Sequence, residues 1–491
     1  MAISISVLTT PTAFEPINAP LWFRLNSASS GLTDFKYIFR PEYRTEPFSS
    51  TTYTTLGTYR IPPKPGSGDG LYSPHRPLKS FLNGNNSVIV NPFATTGFII
   101  TSATALIDYR IKYGFEYNPN KFFTDTISVS GFMGLTFSTA HDFAVGDLIT
   151  INKDNKNYNP QYDGTCSVTA VVNTLSIKTD KSFSSTLLAG ESGYVTDQFR
   201  IAGTMSGFYT FNGTRQYDER TKDYTQYLMA TQSGSGDFLT NLYNTTAANA
   251  KPVKLDDYET LSLCLNTSPL GPYYLKVDTF NSAGIYLTTY TCGTMSAGNT
   301  YRRLEVGIGP MNLSNVSFTN VDYYRVYIAN ASYVVSEYRF YKIDTQCSNY
   351  DKQRIVFLNR MGGFDYFSFT LDSKRSINIT RTEYEKILNW NYTIGDRGKT
   401  ILAQKAEAKM TMNSNWITEN ESIWLEELLT SPDVYILTTN NTKLPIIITD
   451  NSYEVKTYLR NQVFNLVLNY KFKTKSFNNF ASYFSLSNVY R

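Results

Sequence analysis

Hydrophobic and polar residues alternate with a period of two along most of this chain. Phe35, Tyr37 and Phe39 fall on one side of their segment, and Trp22-Phe23-Arg24-Leu25 shows the same short alternation. A strand with one buried face leaves this trace in a sequence. The trace recurs at Leu175, Ile177 and Thr179, at 273–277, 284–290 and 323–328, and at Phe464, Leu466, Leu468, Tyr470 and Phe472. Clusters of Asn, Gly, Pro and Ser separate the runs and supply turns. One stretch has helical spacing instead. Thr418 and Glu421 stand at capping-box separation, Trp424, Leu425 and Leu428 form an apolar stripe, and Pro432 ends it. The expected fold class is mainly β and multi-domain: antiparallel β-sandwich or barrel domains, with a C-terminal α+β domain in which one helix lies on a sheet.

The spacing of runs and turns predicts the organisation. Four short strands within 125–185 suggest a small barrel inserted into a β domain formed by 1–124 and 186–261. A β-sandwich of jelly-roll type follows at 262–349, and the α+β domain, read as an assembly domain, at 350–491. Between Ile61 and Gly70, Pro62, Pro63, Pro65 and Gly66 rule out a regular element, leaving a surface loop or an arm that reaches a neighbour. Gly362-Gly363 separates two strands at 354–358 and 364–369. It stands where a tight turn needs positive φ or close backbone approach.

Composition sharpens this picture. Of 491 residues, 38 are Tyr and 31 Phe, while charged residues make up only 18%. Tyrosine offers a large, stiff contact with a polar tip, suited to protein–protein contacts, to sugar stacking, or to sheet edges and domain seams. The balance of 45 Lys+Arg against 41 Asp+Glu excludes a dedicated nucleic-acid binder, although it leaves DNA contact open. Lys471, Lys473 and Lys475 alternate and read as a solvated strand face. The 4 cysteines, Cys166, Cys264, Cys292 and Cys347, show no CxxC spacing, so no zinc framework is expected. Cys264 and Cys292 share one expected domain, where a disulfide and free thiols both remain open. No secretory leader is read at the N-terminus. No run of about 18 apolar residues occurs, so no transmembrane helix is expected.

Candidate chemistry is sparse. The 2 histidines, His75 and His141, are far apart in sequence. His141 beside Asp142 reads as a turn residue, because adjacent strand residues point to opposite faces. Gly66, Gly68 and Gly70 neither follow a strand nor open a helix, so they cradle no phosphate. Asn152-Lys153-Asp154-Asn155-Lys156 has calcium-like polarity without the central glycine and terminal acid of a calcium loop. Glu426 and Glu427 are read on an exposed helix flank. Glycoside hydrolysis needs two carboxyls roughly 5–10 Å apart across a cleft. No catalytic, cofactor-binding or metal-ligating residue is expected.

The phrase from Arg354 to Phe369, the run from Trp424 to Tyr435, and the ending from Ile447-Ile448-Thr449-Asp450 through Phe464-Asn465-Leu466 together resemble tail proteins of phages infecting Bacteroidetes, including the crAss-like group. Phe143-Ala144-Val145-Gly146-Asp147 resembles the opening of small β modules found in phage tail and fibre proteins. The resemblance implies a virion structural protein made in the host cytoplasm: a ring, hub or baseplate subunit assembled as a cyclic oligomer around the tail axis. Its partners would be copies of itself and other tail proteins, with no membrane insertion and no cofactor. Expected contact regions are Pro62, Pro63, Pro65 and Gly66, and in the C-terminal domain Phe364, Tyr366, Trp424 and Tyr435. Two further readings stand beside this one: a carbohydrate-binding adhesin using the sandwich, and a glycan depolymerase.

Overall fold

The computed structural model describes residues 3–45, 48, 50–82, 92–95, 97–100, 104–153, 164–183, 192–214, 222–229, 236–265, 272–295, 302–346, 350–396, 398–438, 440–450 and 463–472. The fold is mainly β, built from several antiparallel sheets with a small C-terminal helix. The chain divides into two compact units, Met1–Gly84 with Ala103–Thr225, and Asn85–Ser102 with Gln226–Arg491. That division differs from the sequence expectation. The break falls after Thr225, not after residue 261, and the segment Asn85–Ser102 belongs with the second unit.

In the first unit, a three-stranded sheet of Ser6–Thr9, Phe23–Asn26 and Gly70–Tyr72 shares one apolar core with the strands Lys36–Thr45, Leu106–Tyr117 and the distal half of Gly193–Phe211. Phe35, Tyr37 and Phe39 all enter this core, and Phe23 and Leu25 join them. The barrel grows out of the same sheet. Lys121–Val129, Phe132–Phe137, Ser176–Ser182, Gly164–Asn173 and Leu148–Lys153 pair in that order with the first half of Gly193–Phe211. That strand returns to Lys121–Val129 through Lys121↔Val195, closing the ring. Closure removes the exposed edges that an open sheet of this size would carry. Phe123, Leu135, Phe137, Ile149, Val168, Ile177 and Val195 fill it.

The barrel is therefore not a separate bead at 125–185. It shares the 19-residue strand Gly193–Phe211 with the Leu106–Tyr117 and Lys36–Thr45 part of the first unit's sheet. The turn that opens Leu148–Lys153 is fixed by Asp147, which is fully buried. It accepts hydrogen bonds from the Ala144 backbone N–H and the Gln198 amide at 2.8 Å, and from Arg200 at 2.6 and 2.7 Å.

In the second unit, two sheets enclose one core. The first holds Leu228–Met229, Thr260–Leu265, Arg302–Gly307 and Phe98–Ile100. The second holds Lys251–Val253, Arg339–Ile343, Tyr323–Ala329, Tyr273–Phe280 and Tyr286–Met295. Leu261, Leu263, Leu304 and Val306 from one meet Leu275, Val277, Val326 and Ile328 from the other. A sandwich is thus present, but it begins well before residue 262 and borrows a strand from far upstream.

The C-terminal sheet runs in the order Phe364–Phe369, Gln353–Leu358, Val434–Leu437, Lys443–Ile448, Val463–Phe472, Lys399–Thr418, Ser373–Glu385. The helix Glu419–Thr430 lays Trp424, Leu425 and Leu428 on its Phe357, Met412, Leu466 and Leu468 side chains. Both halves of the Thr418/Glu421 capping box form, giving the two backbone donors at the helix start a partner each. Thr418→Ala is expected to cost about 1 kcal/mol, read as a lower denaturation midpoint of this unit. The two glycines of the 362–363 turn answer different needs. Gly362 has φ +76°, and a Cβ on Gly363 would lie 2.5 Å from the Leu239 carbonyl. Among the described residues, no helix is long and apolar enough to cross a membrane.

Candidate functional site

The C-terminal sheet ends in a projecting ribbon. Ser373–Glu385 pairs with Lys399–Thr418 in register from Ser373↔Met412 to Glu385↔Lys399. Only the portion from Met410 to Thr418 also pairs with Val463–Phe472 on its other side. Beyond Met410 the ribbon consists, among the described residues, of two strands. All 13 residues of Ser373–Glu385 are exposed, and at roughly 3.4 Å per residue the ribbon is about 44 Å long. Its tip carries Ile387, Trp390, Tyr392 and Ile394, with Trp390 92% and Ile394 108% exposed. The tip has defined local structure: the Lys386 N–H donates to the Gly398 carbonyl, and the Thr393 N–H to Asp396, both at 2.7 Å.

A two-stranded ribbon is marginally stable on its own in water. This one also presents an edge with no strand beside it among the described residues, and a cluster of large apolar groups, and both are features of association surfaces. Its faces differ. Met410 and Met412, opposite Arg375 and Ser373, are buried in the core of the C-terminal sheet. Ile377 and Ile379 continue that face outward by the period of two and stand exposed.

A buried polar seam forms where the C-terminal sheet meets the outer face of the sandwich, on the strands Gln353–Leu358 and Phe364–Phe369 at the end of the strand order opposite the ribbon. Arg354 donates to Glu259 at 2.8 Å, to the Tyr258 carbonyl at 3.0 Å and to Ser368 at 2.9 Å, and its guanidinium lies 3.4 Å from Asp257. Lys251 bonds Glu259 and the Tyr366 carbonyl, each at 2.6 Å. Asp365 accepts from the Trp424 indole N–H and the Thr240 hydroxyl at 2.8 Å. Glu427 accepts from the Asn241 amide at 2.7 Å and the Arg360 backbone N–H at 2.8 Å. Arg303 reaches the Gly362 carbonyl, and Ser262 bonds Glu305. One helix, two strands of the sheet, three strands of the sandwich and the 240–241 segment are tied together.

Burial sets the electrostatics of this seam. It pushes the Asp365 and Glu305 carboxyls up and the Lys251 ammonium down from their ordinary values. Burial first and the Asp365 charge second push Glu427 up to about 7, against the hydrogen bonds from Arg360 and Asn241. Asp257 goes the other way. Burial favours its protonated form, but Arg354 and Lys352 outweigh burial and hold it below the usual carboxylate range.

The expected contact residues separate under this geometry. Phe364, Tyr366 and Trp424 are buried inside the second unit, so their side chains serve its interior and not a partner. Tyr366 bonds Thr260 at 2.9 Å. Tyr435 sits half-buried at the margin of a small cluster with Val356, Leu358, Phe364 and Tyr366. The Pro62-Pro63-Lys64-Pro65-Gly66 segment is a folded turn of the first unit, not a reaching arm. The Lys64 N–H bonds the Asp69 carbonyl at 2.8 Å, the Tyr37 hydroxyl bonds the Gly68 carbonyl at 2.6 Å, and Arg24 and Asn26 grip Asp69. Glu427 is buried, not on an exposed flank, whereas Glu426 is outward.

His141 packs against Phe137 and Phe143, with its Nε2 3.0 Å from the Asn173 carbonyl. Cys166, Cys264 and Cys292 form no disulfide with one another. Cys347, Lys473, Lys475 and residues 154–156 of the calcium-like run lie outside the described residues. Among the described residues, no group of three or more His, Cys, Asp or Glu could hold a metal ion.

Sequence reading assigned no element between Phe369 and Thr418 and so missed the ribbon. Ile377 and Ile379, and the Gly395-Asp396-Arg397-Gly398 turn, were the signals present. Arg303 and Glu305 alternate with Leu304 and Val306, a pattern that reads as a solvent face although both are buried.

No family model matches this chain, and no curated protein matches it. A crystal structure described as that of an exported protein from Burkholderia pseudomallei aligns over 74% of this chain and 83% of its own, at 7% identity and a TM-score of 0.09. A superposition that poor establishes no shared fold.

Proposed function

We propose that this chain is a structural subunit of a bacteriophage tail, of ring, hub or baseplate type, acting by assembly and carrying no catalytic step. The observation that carries the reading is the exposed ribbon with its apolar tip. It projects from the C-terminal sheet, whose sequence resembles phage tail proteins. A subunit that closes a ring needs a surface reaching outward to meet a different surface on the next copy. The tip residues Ile387, Trp390, Tyr392 and Ile394 are displayed for such a contact. Aromatic anchors at the centre of an interface carry a large share of its affinity. The partners are copies of the chain in a ring and neighbouring tail proteins, and the location is the virion.

Mass measurement of the purified chain should show a closed multimer, and proteomics of purified virions should contain it. A monomer absent from virions would overturn the proposal. Trp390→Ser combined with Ile394→Ser is expected to leave the unfolding transition unchanged, because both side chains are solvent-facing, and to abolish the multimer. A variant that assembles normally removes the tip from the contact.

A further inference from the structure

The ribbon's outer edge, beside which no strand lies among the described residues, is written so that it can pair with itself. Ser373–Glu385 begins with Lys374 and Arg375 and ends with Glu383 and Glu385, with Ile377 and Ile379 between them. It is the last strand of its sheet, hydrogen-bonded on one side to Lys399–Thr418. An edge of this length presents alternate backbone N–H and C=O groups to any strand laid beside it. A second copy laid parallel would set Lys374 beside Lys374 and Glu383 beside Glu383, which is repulsive.

Laid antiparallel about Ile379, the charges match. Arg375 stands opposite the second copy's Glu383, Glu383 opposite its Arg375, and Ile379 opposite Ile379. Asn378 and Thr380 then form the neighbouring cross-strand pairs on the other face. Shifting the register by two residues one way sets Ile379 against Arg381 and loses the central apolar contact, and shifting it the other way sets Arg375 against Arg381, which is repulsive.

The strand itself is regular. The one irregularity in the ribbon lies between Thr382 and Glu383, where the inner strand advances two residues, from Ala403 to Ile401. We infer that Ser373–Glu385 is a two-fold docking edge for a second copy of this chain, joining two ribbons into a four-stranded sheet. Four strands with an apolar stripe meet the requirement for independent stability that two strands do not. Ile377 and Ile379 of both copies continue the face on which Met410 and Met412 are buried.

This contact goes beyond the ring reading and uses a different surface. The ring contact made by the tip is head-to-tail, while the edge contact is isologous. Together they give two rings related by two-fold axes, a dihedral assembly.

The two-fold makes a sharp test available. Residues opposite each other in an antiparallel pair have Cα atoms about 4.5–5.5 Å apart, within disulfide reach. In the full-length chain, Ile379→Cys alone is expected to give a covalent dimer under mild oxidation, on a non-reducing gel where the unmodified chain gives none. Lys374→Cys alone should not cross-link, because the two copies of residue 374 stand at opposite ends of the contact, while Lys374→Cys with Tyr384→Cys should.

By sedimentation, Glu383→Arg is expected to weaken the dimer by roughly tenfold, and adding Arg375→Glu to restore it. Equal cross-linking by Ile379→Cys and Lys374→Cys would mean random collision, and no cross-linking would mean the edge is not a two-fold. Either result overturns the inference. A chain that forms rings and enters virions without the Ile379 cross-link loses this contact and keeps the tail role. A chain that cross-links at residue 379 but is absent from virions does the reverse.

Discussion

Replacing Arg354 with Met is expected to destabilise the second unit by about 3–5 kcal/mol, the cost of leaving buried charges without their partner. Arg354 is the one cation that touches both Glu259 and Asp257, each 2% exposed. Methionine fills much of the space but donates no hydrogen bond. Glu259 keeps Lys251 and Asp257 keeps Lys352, yet each loses a charged partner within the same enclosed volume. The Tyr258 carbonyl and Ser368 lose a donor as well. Urea denaturation followed by tryptophan fluorescence reads the change, since Trp424 lies within the seam. Arg354→Lys should recover only part of the loss, because an ammonium cannot span both acids in the planar fork of a guanidinium. A shift below about 1 kcal/mol for Arg354→Met would mean the seam is solvated and does not tie the C-terminal sheet to the sandwich.

That seam also shows why parts of the molecule were legible in the sequence and parts were not. Local signals carried far. The Thr418/Glu421 pair set the helix start, and the paired glycines marked the turn between two strands. Period two located several strands, including Val463–Phe472, where Leu466, Leu468 and Tyr470 are buried. Pairing between distant strands left no local trace. Phe98–Ile100 joins Arg302–Gly307 across some two hundred residues, and nothing in either segment names the other.

The same limit misplaced the contact residues. Phe364 and Tyr366 are aromatic strand positions, and whether such positions face a partner or another layer of the same unit depends on what lies opposite them. Here the opposite layer is Thr260–Leu265, whose Thr260 bonds the Tyr366 hydroxyl. Glu427 looked outward because Glu426 beside it is outward. It is three positions after Trp424, on the buried side of the helix, and a buried carboxylate there is tolerable only because Asn241 and Arg360 supply donors. The ribbon was missed for the converse reason. Ile377 and Ile379 alternate over too short a span to mark a strand by themselves, and only the lack of a covering layer among the described residues shows that their face is open.

Glu427 leads to the second large effect, a rise in stability on acidification. Its carboxyl is held at about 7 in the fold against an ordinary value of 4.5. Between those values the folded chain binds a proton that the unfolded chain has released, so lowering the pH favours the fold. The contribution is fully present below about 4.5 and is lost as the pH rises through 7. Each unit of difference corresponds to about 1.4 kcal/mol, which puts the full contribution at roughly 3 kcal/mol. Asp365, also pushed up by burial, acts in the same direction. Asp257, held low by Arg354 and Lys352, opposes them only below the ordinary carboxylate range.

Glu427→Gln isolates the effect. The amide keeps the shape, and Asn241 can turn its own amide to match, so no buried donor is stranded. Thermal or urea unfolding at pH 5.5 and pH 8 should therefore show a pH-dependent gain in the unmodified chain that the glutamine variant largely lacks, with the variant the more stable of the two at pH 8. Equal slopes in the two proteins would place the Glu427 carboxyl in contact with solvent, and the seam would then be open where it is drawn here as closed.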